Sequence, residues 1–196
     1  INNKKENYLI FSDEVTYNKN VELIYSKGNS KAIDNNFEID AQNFKYNKLK
    51  NIIYAQGNVK INNKKENYLI FSDEVTYNKN VELIYSKGNS KAIDNNFEID
   101  AQNFKYNKLK NIIYAQGNVK INNKKENYLI FSDEVTYNKN NLKIFTKKNS
   151  KAKSDSVFIE GNNFQYDQKK NTLIAEGDVI LEDKIENYTL ETNYIH

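Results

Sequence analysis

The chain reads as an all-β protein, an elongated antiparallel folded sheet built from stacked repeats. Three observations predict this. Ile53, Ala55, Gly57, Val59 and Ile61 fall at every second position of Asn51–Ile61, the period of a strand with one face turned inward. The first sixty residues recur unchanged as the second sixty, and Ile121–Asn140 repeats Ile1–Asn20 once more, as expected of a stacked repeat. No window carries the i, i+3, i+4, i+7 apolar stripe of a helix.

Composition agrees. Tyr 15 and Phe 10 stand with abundant Ile, Val and Thr, residues that favour strands. There is no Cys, so a disulfide framework, a thiolate metal site and a thiol nucleophile are all excluded. Every basic residue is Lys. The 29 basic and 26 acidic residues are interspersed, for a net charge of +3, the pattern of a solvated surface. No apolar run approaches the roughly 20 residues of a spanning helix. The chain does not begin with Met and shows no leader pattern, so it reads as a piece of a mature protein or as an engineered expression product, and a missing leader is no argument for the cytoplasm.

The repeats define one β domain over 1–196: repeats 1–60 and 61–120, an identical part 121–140, and a diverged, cap-like part 141–196. Complete identity over sixty residues fits either a recent duplication or a deliberate concatenation of one unit. In the diverged part Asn149-Ser150-Lys151-Ala152 matches Asn29-Ser30-Lys31-Ala32, and Leu173, Ala175, Gly177, Val179 and Leu181 keep the register of Ile53–Ile61.

Each sixty-residue unit divides again into two similar halves. Ile24, Ser26, Gly28, Ser30 and Ala32 align with Ile53, Ala55, Gly57, Val59 and Ile61. Phe37, Ile39, Ala41, Phe44 and Tyr46 align with Tyr68, Ile70, Ser72, Val75 and Tyr77. One kind of segment carries a mid-strand Gly. The other breaks parity after Ala41 or Ser72. Both features predict a bulge or sharp bend in mid-strand. Asn18-Lys19-Asn20, Asp34-Asn35-Asn36, Asn47-Lys48 and Asn62-Asn63-Lys64-Lys65 mark the turns, since Asn and Asp tolerate turn dihedrals. Four bent strands per unit, at about 4.8 Å each, predict a stack of roughly 60 Å with the strand bends placing two sheet halves face to face.

The inner lining decides what such a stack can hold. Closed halves would give a dry core about 10 Å thick; splayed halves would leave an apolar trough, where burial is worth about 0.8 kcal/mol per methylene. Both readings are open from pattern alone. Apolar residues at outer positions (Leu23, Tyr25, Ile52, Tyr54, Leu69, Phe71) read first as cross-strand pairs stiffening the sheet and second as a side-to-side contact surface.

The motif Asn-Xaa-(Ile/Leu)-Xaa-Ala-Xaa-Gly-(Asn/Asp)-Val-Xaa-(Ile/Leu), preceded by Phe-Xaa-Tyr-(Asn/Asp), resembles the OstA-like repeat. Phe164–Leu181 carries it most fully, and Phe44–Ile61 and Phe104–Ile121 nearly so. That family includes the periplasmic lipopolysaccharide-transport proteins LptA and LptC and the N-terminal domain of LptD. The resemblance implies a β-taco or β-jellyroll of bent antiparallel strands, a periplasmic location, and a trough that holds the acyl chains of lipopolysaccharide or another long-chain amphiphile. By the same resemblance the lining would be Phe37, Ile39, Phe44, Tyr46, Ile53, Ala55, Val59 and Ile61. Their copies are Phe97, Ile99, Phe104, Tyr106, Ile113, Ala115, Val119 and Ile121, with Leu173 and Val179 in the diverged part.

Catalysis is not expected. His196 is the only histidine and ends the chain, where termini fray. Asp13 and Glu14 are adjacent, so a strand sends them to opposite faces, a poor carboxylate pair. Phosphate loops, metal-ligand spacings and nucleophile elbows are missing, so no cofactor or metal is expected. Nucleic acid is disfavoured by near-balanced charge and the lack of Arg. Unpaired strands at the ends of a stack predict head-to-tail self-association, heterologous and therefore open-ended.

Overall fold

The computed structural model describes residues 1–3, 8–34, 37–95 and 97–196. Every regular element among them is a strand, so the chain is all-β, as the alternation predicts. Internal contacts gather it into two compact units. One comprises Ile1–Asn95 with Asn107–Leu109; the other comprises Asn96–Tyr106 with Lys110–His196.

In the first unit, β1 (Asn2–Asn3) pairs with β2 (Tyr8–Phe11), and β2 and β3 (Glu14–Asn18) share the long strand β4 (Leu23–Asp34). An antiparallel meander follows through β5 (Phe37–Asn47), β6 (Ile52–Asn63), β7 (Tyr68–Asn78) and β8 (Leu83–Ile93). The second unit runs from β9 (Phe97–Asn107, all but its last residue) through β10 (Ile112–Asn123) and β11 (Tyr128–Asn138). There the diverged sequence splits the long strands. β12 (Lys143–Lys147) and β13 (Ser150–Lys153) both pair with β11. β14 (Val157–Gly161) and β15 (Asn163–Asp167) both pair with β16 (Thr172–Asp183), and β17 (Tyr188–Ile195) adds to β16.

The predicted mid-strand bends are present and have one cause. On β6, Gly57 and Asn58 take φ of 81° and 48°, and the register with β7 slips between Gln56 and Val59. Gly28-Asn29, Gly88-Asn89, Gly117-Asn118 and Gly177-Asp178 repeat the conformation. Two successive left-handed residues end the pleat and restart it in a new direction. Glycine stands first because a φ near 80° is costly for any residue with a Cβ. On β5 the inward face passes from Ala41 to Phe44, three residues on, which is the parity break read from the sequence.

These bends fold the sheet over. Phe37 pairs in register with Asn63, and Asn63 with Tyr68. Tyr77 lies nine residues further along β7, which on a flat sheet is about 30 Å away. Yet the Phe37 and Tyr77 rings have centroids 5.0 Å apart. Only a sheet doubled across the Gly–Asn bends brings them together. Phe97 and Tyr137 repeat the contact at 5.0 Å in the second unit.

The core lies between the doubled halves. Ile24, Ile39, Ile61, Ile70 and Ile84 of the first unit and Ile121, Ile130 and Ile144 of the second are at most 2% exposed. Burying each such side chain is worth about 1.5–3 kcal/mol. The Asn-rich turns behave as read. Asn51, Asn67, Asn111, Asn127 and Asn171 all take positive φ, and Asn47 and Asn63 accept the backbone N–H of Lys50 and Glu66. Asn35 and Asn36, of the turn read at Asp34–Asn36, lie outside the described residues.

Candidate ligand site

Each unit contains an apolar cavity between its sheet halves. The first, about 440 Å³, is lined by Tyr8, Ile10, Ala32, Phe37, Ile39, Phe44, Tyr46 and Ile53, with Ile33, Asp34, Lys48, Leu49, Asn51, Lys79 and Asn80 at its polar side. The second, about 640 Å³, is lined by Tyr128, Ile130, Ala152, Val157, Ile159, Tyr166 and Leu173, with Glu126, Lys153, Ser154, Gln168 and Asn171. Both volumes fall within the range of small-molecule sites. The two occupy the same place in the repeat: Tyr8, Ile10, Ala32, Ile39, Tyr46, Asn51 and Ile53 stand 120 residues before Tyr128, Ile130, Ala152, Ile159, Tyr166, Asn171 and Leu173.

Alternation on doubled strands produces this lining. Tyr8 and Ile10 come from the short β2, Phe37 and Ile39 from β5 before its bend, Tyr46 from β5 after it, and Ile53 from β6. Tyr8 and Tyr46 meet edge to face across the cavity at 6.0 Å, and Tyr128 and Tyr166 do so at 5.3 Å. The Tyr46 and Tyr166 hydroxyls donate to Asn51 and Asn171 Oδ1, both at 2.9 Å. Burial pushes the Tyr128 phenol up, and the Tyr166 phenol up to about 12. Both phenols are therefore neutral near neutral pH.

Charged straps tie the halves at the open side. Lys79, just past β7, reaches Asp34 at the end of β4, with Nζ 3.5 Å from Oδ2. Lys108 lies 3.4 Å from Glu66 and 2.6 Å from Glu82. Burial acts to raise the Glu82 carboxyl, but hydrogen bonds from Lys108 and Tyr77 outweigh it and hold the group below its ordinary value. Lys48 pairs with Glu22 at 3.0 Å, joining neighbouring strand ends of one half rather than crossing between halves. At the equivalent place in the diverged part, Gln168 donates its amide to the Tyr128 hydroxyl at 2.5 Å.

At the bend the interior is polar. Ser72 Oγ lies 3.0 Å from the Lys87 carbonyl, 3.1 Å from that of Gly88 and 3.0 Å from that of Glu74, and accepts from the Lys87 N–H. Ser132 does the same for Lys147 and Lys148. Ser90 and Ser150 are buried at these same two bends, and Ser30 at the bend of Gly28. These serines serve backbone groups that the bulge leaves out of the ladder. Ser30, whose Oγ donates to the Gln42 carbonyl at 3.1 Å, belongs to the bend in this way, whereas Ala32 lines the first cavity and the buried Ser26 Oγ has no hydrogen-bond partner.

Of the residues read as lining from the sequence, Phe37, Ile39, Phe44, Ala55, Val59 and Ile61 are buried in the first unit, and Tyr46 and Ile53 are half-buried. Phe97, Ile99, Phe104, Tyr106, Ile113, Ala115, Val119, Ile121 and Val179 are buried in the second, with Leu173 half-buried. Phe37, Ile39, Phe44, Tyr46, Ile53 and Leu173 reach a cavity wall. The others named line neither of these two cavities. The sequence reading missed Tyr8, Ile10, Tyr128 and Ile130, although Tyr68 and Ile70, their copies, align with Phe37 and Ile39. It also treated Lys48 as a turn marker only. Among the described residues no group of three potential metal ligands occurs, and no helix is long and apolar enough to cross a membrane.

Fold and site together define a class: an all-β repeat protein whose doubled strands enclose an apolar cavity in each unit. No family model matches the chain, and no curated protein matches it. Among solved structures, the crystal structure of LptH, the LptA-homologous periplasmic component of the conserved lipopolysaccharide transport device from Pseudomonas aeruginosa, is similar at 8% identity and a TM-score of 0.26. The similarity covers 88% of this chain and 85% of that one. At that TM-score the likeness carries no argument.

Proposed function

We propose that this chain is a noncatalytic lipid-binding module of the periplasmic lipopolysaccharide-transport type, holding an acyl chain between its sheet halves. The observation that carries the reading is the recurrence of one cavity, with one set of aliphatic and tyrosine walls, at positions 120 residues apart. The OstA-like motif supports the transport setting and the periplasmic location. The polar side of the first cavity supports an amphiphile: Lys48 and Lys79 flank aliphatic walls, a place for an acidic head above a buried tail.

Photo-crosslinking tests this. A benzophenone side chain at Ile53 labels a lipid A analogue, while the same group at Tyr25, 43% exposed on the outer face, does not. Equal labelling at both, or none at Ile53, removes the reading.

A second reading has its own observation in favour. The Phe37–Tyr77 and Phe97–Tyr137 contacts close the interior across the halves, as in a repeat stack that needs no ligand. The Ile53 experiment separates the two.

Head-to-tail association belongs to either reading. All five side chains of β3 and most of β17 are exposed, so strand addition at these elements buries new surface. Sedimentation velocity over a concentration series then shows open-ended growth. A strict monomer at millimolar concentration contradicts it.

A further inference from the structure

The outer face of the first unit is ribbed, and neither an inner ligand nor a dry core accounts for it. Tyr25, Lys45, Tyr54, Thr76 and Tyr85 stand in register across β4 to β8. Nearer the turns, each tyrosine strand adds an aliphatic (Leu23, Ile52 or Leu83) and each intervening strand an asparagine (Asn47 or Asn78). Apolar ribs on β4, β6 and β8 thus alternate with polar furrows on β5 and β7, at about 4.8 Å per strand. Tyr25 and Tyr85 are 43% and 44% exposed. β4 to β7 are paired along both edges, so the pattern lies inside the sheet.

Nearer the bend a second row runs Glu14, Lys27, Asn43, Gln56, Glu74, Lys87 from β3 to β8. Reversed, this row is its own complement: Lys falls on Glu and Asn on Gln. The same reversal sets every rib in a furrow, with Tyr25 over Thr76, Tyr54 over Lys45 and Tyr85 over Thr16. Lys27 and Lys87 are exposed and, among the described residues, hold no ion pair.

We propose that this face binds a second copy of the chain, about a two-fold axis parallel to the strands and passing between β5 and β6. The contact is isologous, so Lys27 of each copy meets Glu74 of the other. Tyrosine suits the centre of such a contact, and opposed charges fix its register. A slip of one strand either way sets rib on rib and opposes Glu14 to Glu74 or Lys27 to Lys87. From β3 to β8, over five residues each, the patch measures roughly 29 by 17 Å. That is the low end for a specific pair, and a dissociation constant on the order of 10–100 μM is expected. Only outward side chains take part, so the proposal stands apart from the acyl-binding reading.

The chain lacks Cys, so a single thiol reports the contact. Asn43→Cys sits beside the axis, and Lys60→Cys, exposed on β6 past its bend, is the control. On the full chain a short bis-maleimide joins two copies through position 43 and not through position 60. Association through end strands does not bring two copies of position 43 together. Lys27→Glu with Lys87→Glu raises the protein concentration for half-maximal crosslinking about tenfold, and Glu14→Lys with Glu74→Lys does the same. Mixed in equal parts, the two variants crosslink through position 43 as the parent does, because an all-acidic row then meets an all-basic one. Mixing leaves the contacts within each chain unchanged, so recovery belongs to the contact between copies. Equal yields at 43 and 60, yields indifferent to the charge reversals, no recovery on mixing, or no crosslinking at millimolar concentration each overturns the proposal.

Discussion

Gly57 lies so close to Gln42 that a Cβ on the glycine would stand 2.5 Å from Oε1 and 2.9 Å from Cβ of the glutamine. The φ of 81° adds a conformational cost to the steric one. Gly57→Ala is therefore expected to destabilise the chain by about 1–3 kcal/mol, read as a lower urea midpoint at unchanged slope. An unaltered midpoint would mean that the strand does not bend here.

The diverged part violates the same rule. Lys148, at φ 65°, occupies the place of Gly28 and Gly88, and Leu142, at φ 56°, occupies the turn position that Glu22 and Glu82 hold in the earlier repeats and that Asn51, Asn111 and Asn171 hold in the alternate turns. Lys148→Gly is expected to stabilise by about 1 kcal/mol, and Leu142→Asn by somewhat less. A thermal melt showing a raised midpoint for each checks this; a lowered midpoint for Lys148→Gly contradicts it.

Ser72 is 5% exposed and answers several backbone groups at its bend. Ser72→Ala leaves them unpaired in a site without room to rehydrate, at a cost of about 1–3 kcal/mol. Amide exchange should quicken at Lys87, whose N–H loses its acceptor, while Lys60 on the neighbouring strand is protected as before. Uniform acceleration across β6, β7 and β8 would show that the serine acts on the whole unit instead.

Stability is expected to fall at both extremes of pH. The Lys31 hydrogen bond holds the Glu38 carboxyl low, and Lys108 and Tyr77 hold Glu82 low despite burial. Groups depressed in the folded state stabilise it fully above their unfolded value, about 4.3, and lose that contribution as pH falls through the folded value. Burial raises the phenols of Tyr77, Tyr128 and Tyr166. Their contribution is complete below about 10 and is lost as pH climbs through the folded values, near 12 for Tyr166. Urea midpoints measured from pH 3 upward should form a plateau between these limbs, with Tyr ionisation followed by absorbance. A maximum below pH 4 would contradict the assignment.

Much of the fold was legible because strand parity is a local property. Ile53 to Ile61 alternate, the break after Ala41 is visible as a missing alternation, and Gly57-Asn58 names the bend. The turn at Lys48 was legible as a turn but not as half of an ion pair, since its partner Glu22 comes beside it only after β4 and β5 have paired. The cavity walls were half legible for a similar reason. Parity says that Ile53 and Ile61 both face inward; only the doubled geometry says that Ile53 meets open space and Ile61 does not. The role of the bend serines was not legible because the partners of Ser72 and Ser132 are backbone carbonyls, which a sequence does not display.

The central claim is that hydrocarbon enters between the doubled halves. Nuclear Overhauser effects from a dodecyl chain to selectively labelled isoleucine and leucine methyl groups test it most directly. Cross-peaks to Ile53 and Leu173, and none to Leu49 beyond the first methylenes of the tail, are the predicted result. Contacts confined to exposed methyls such as those of Leu109, or no contacts at saturating ligand, would contradict it.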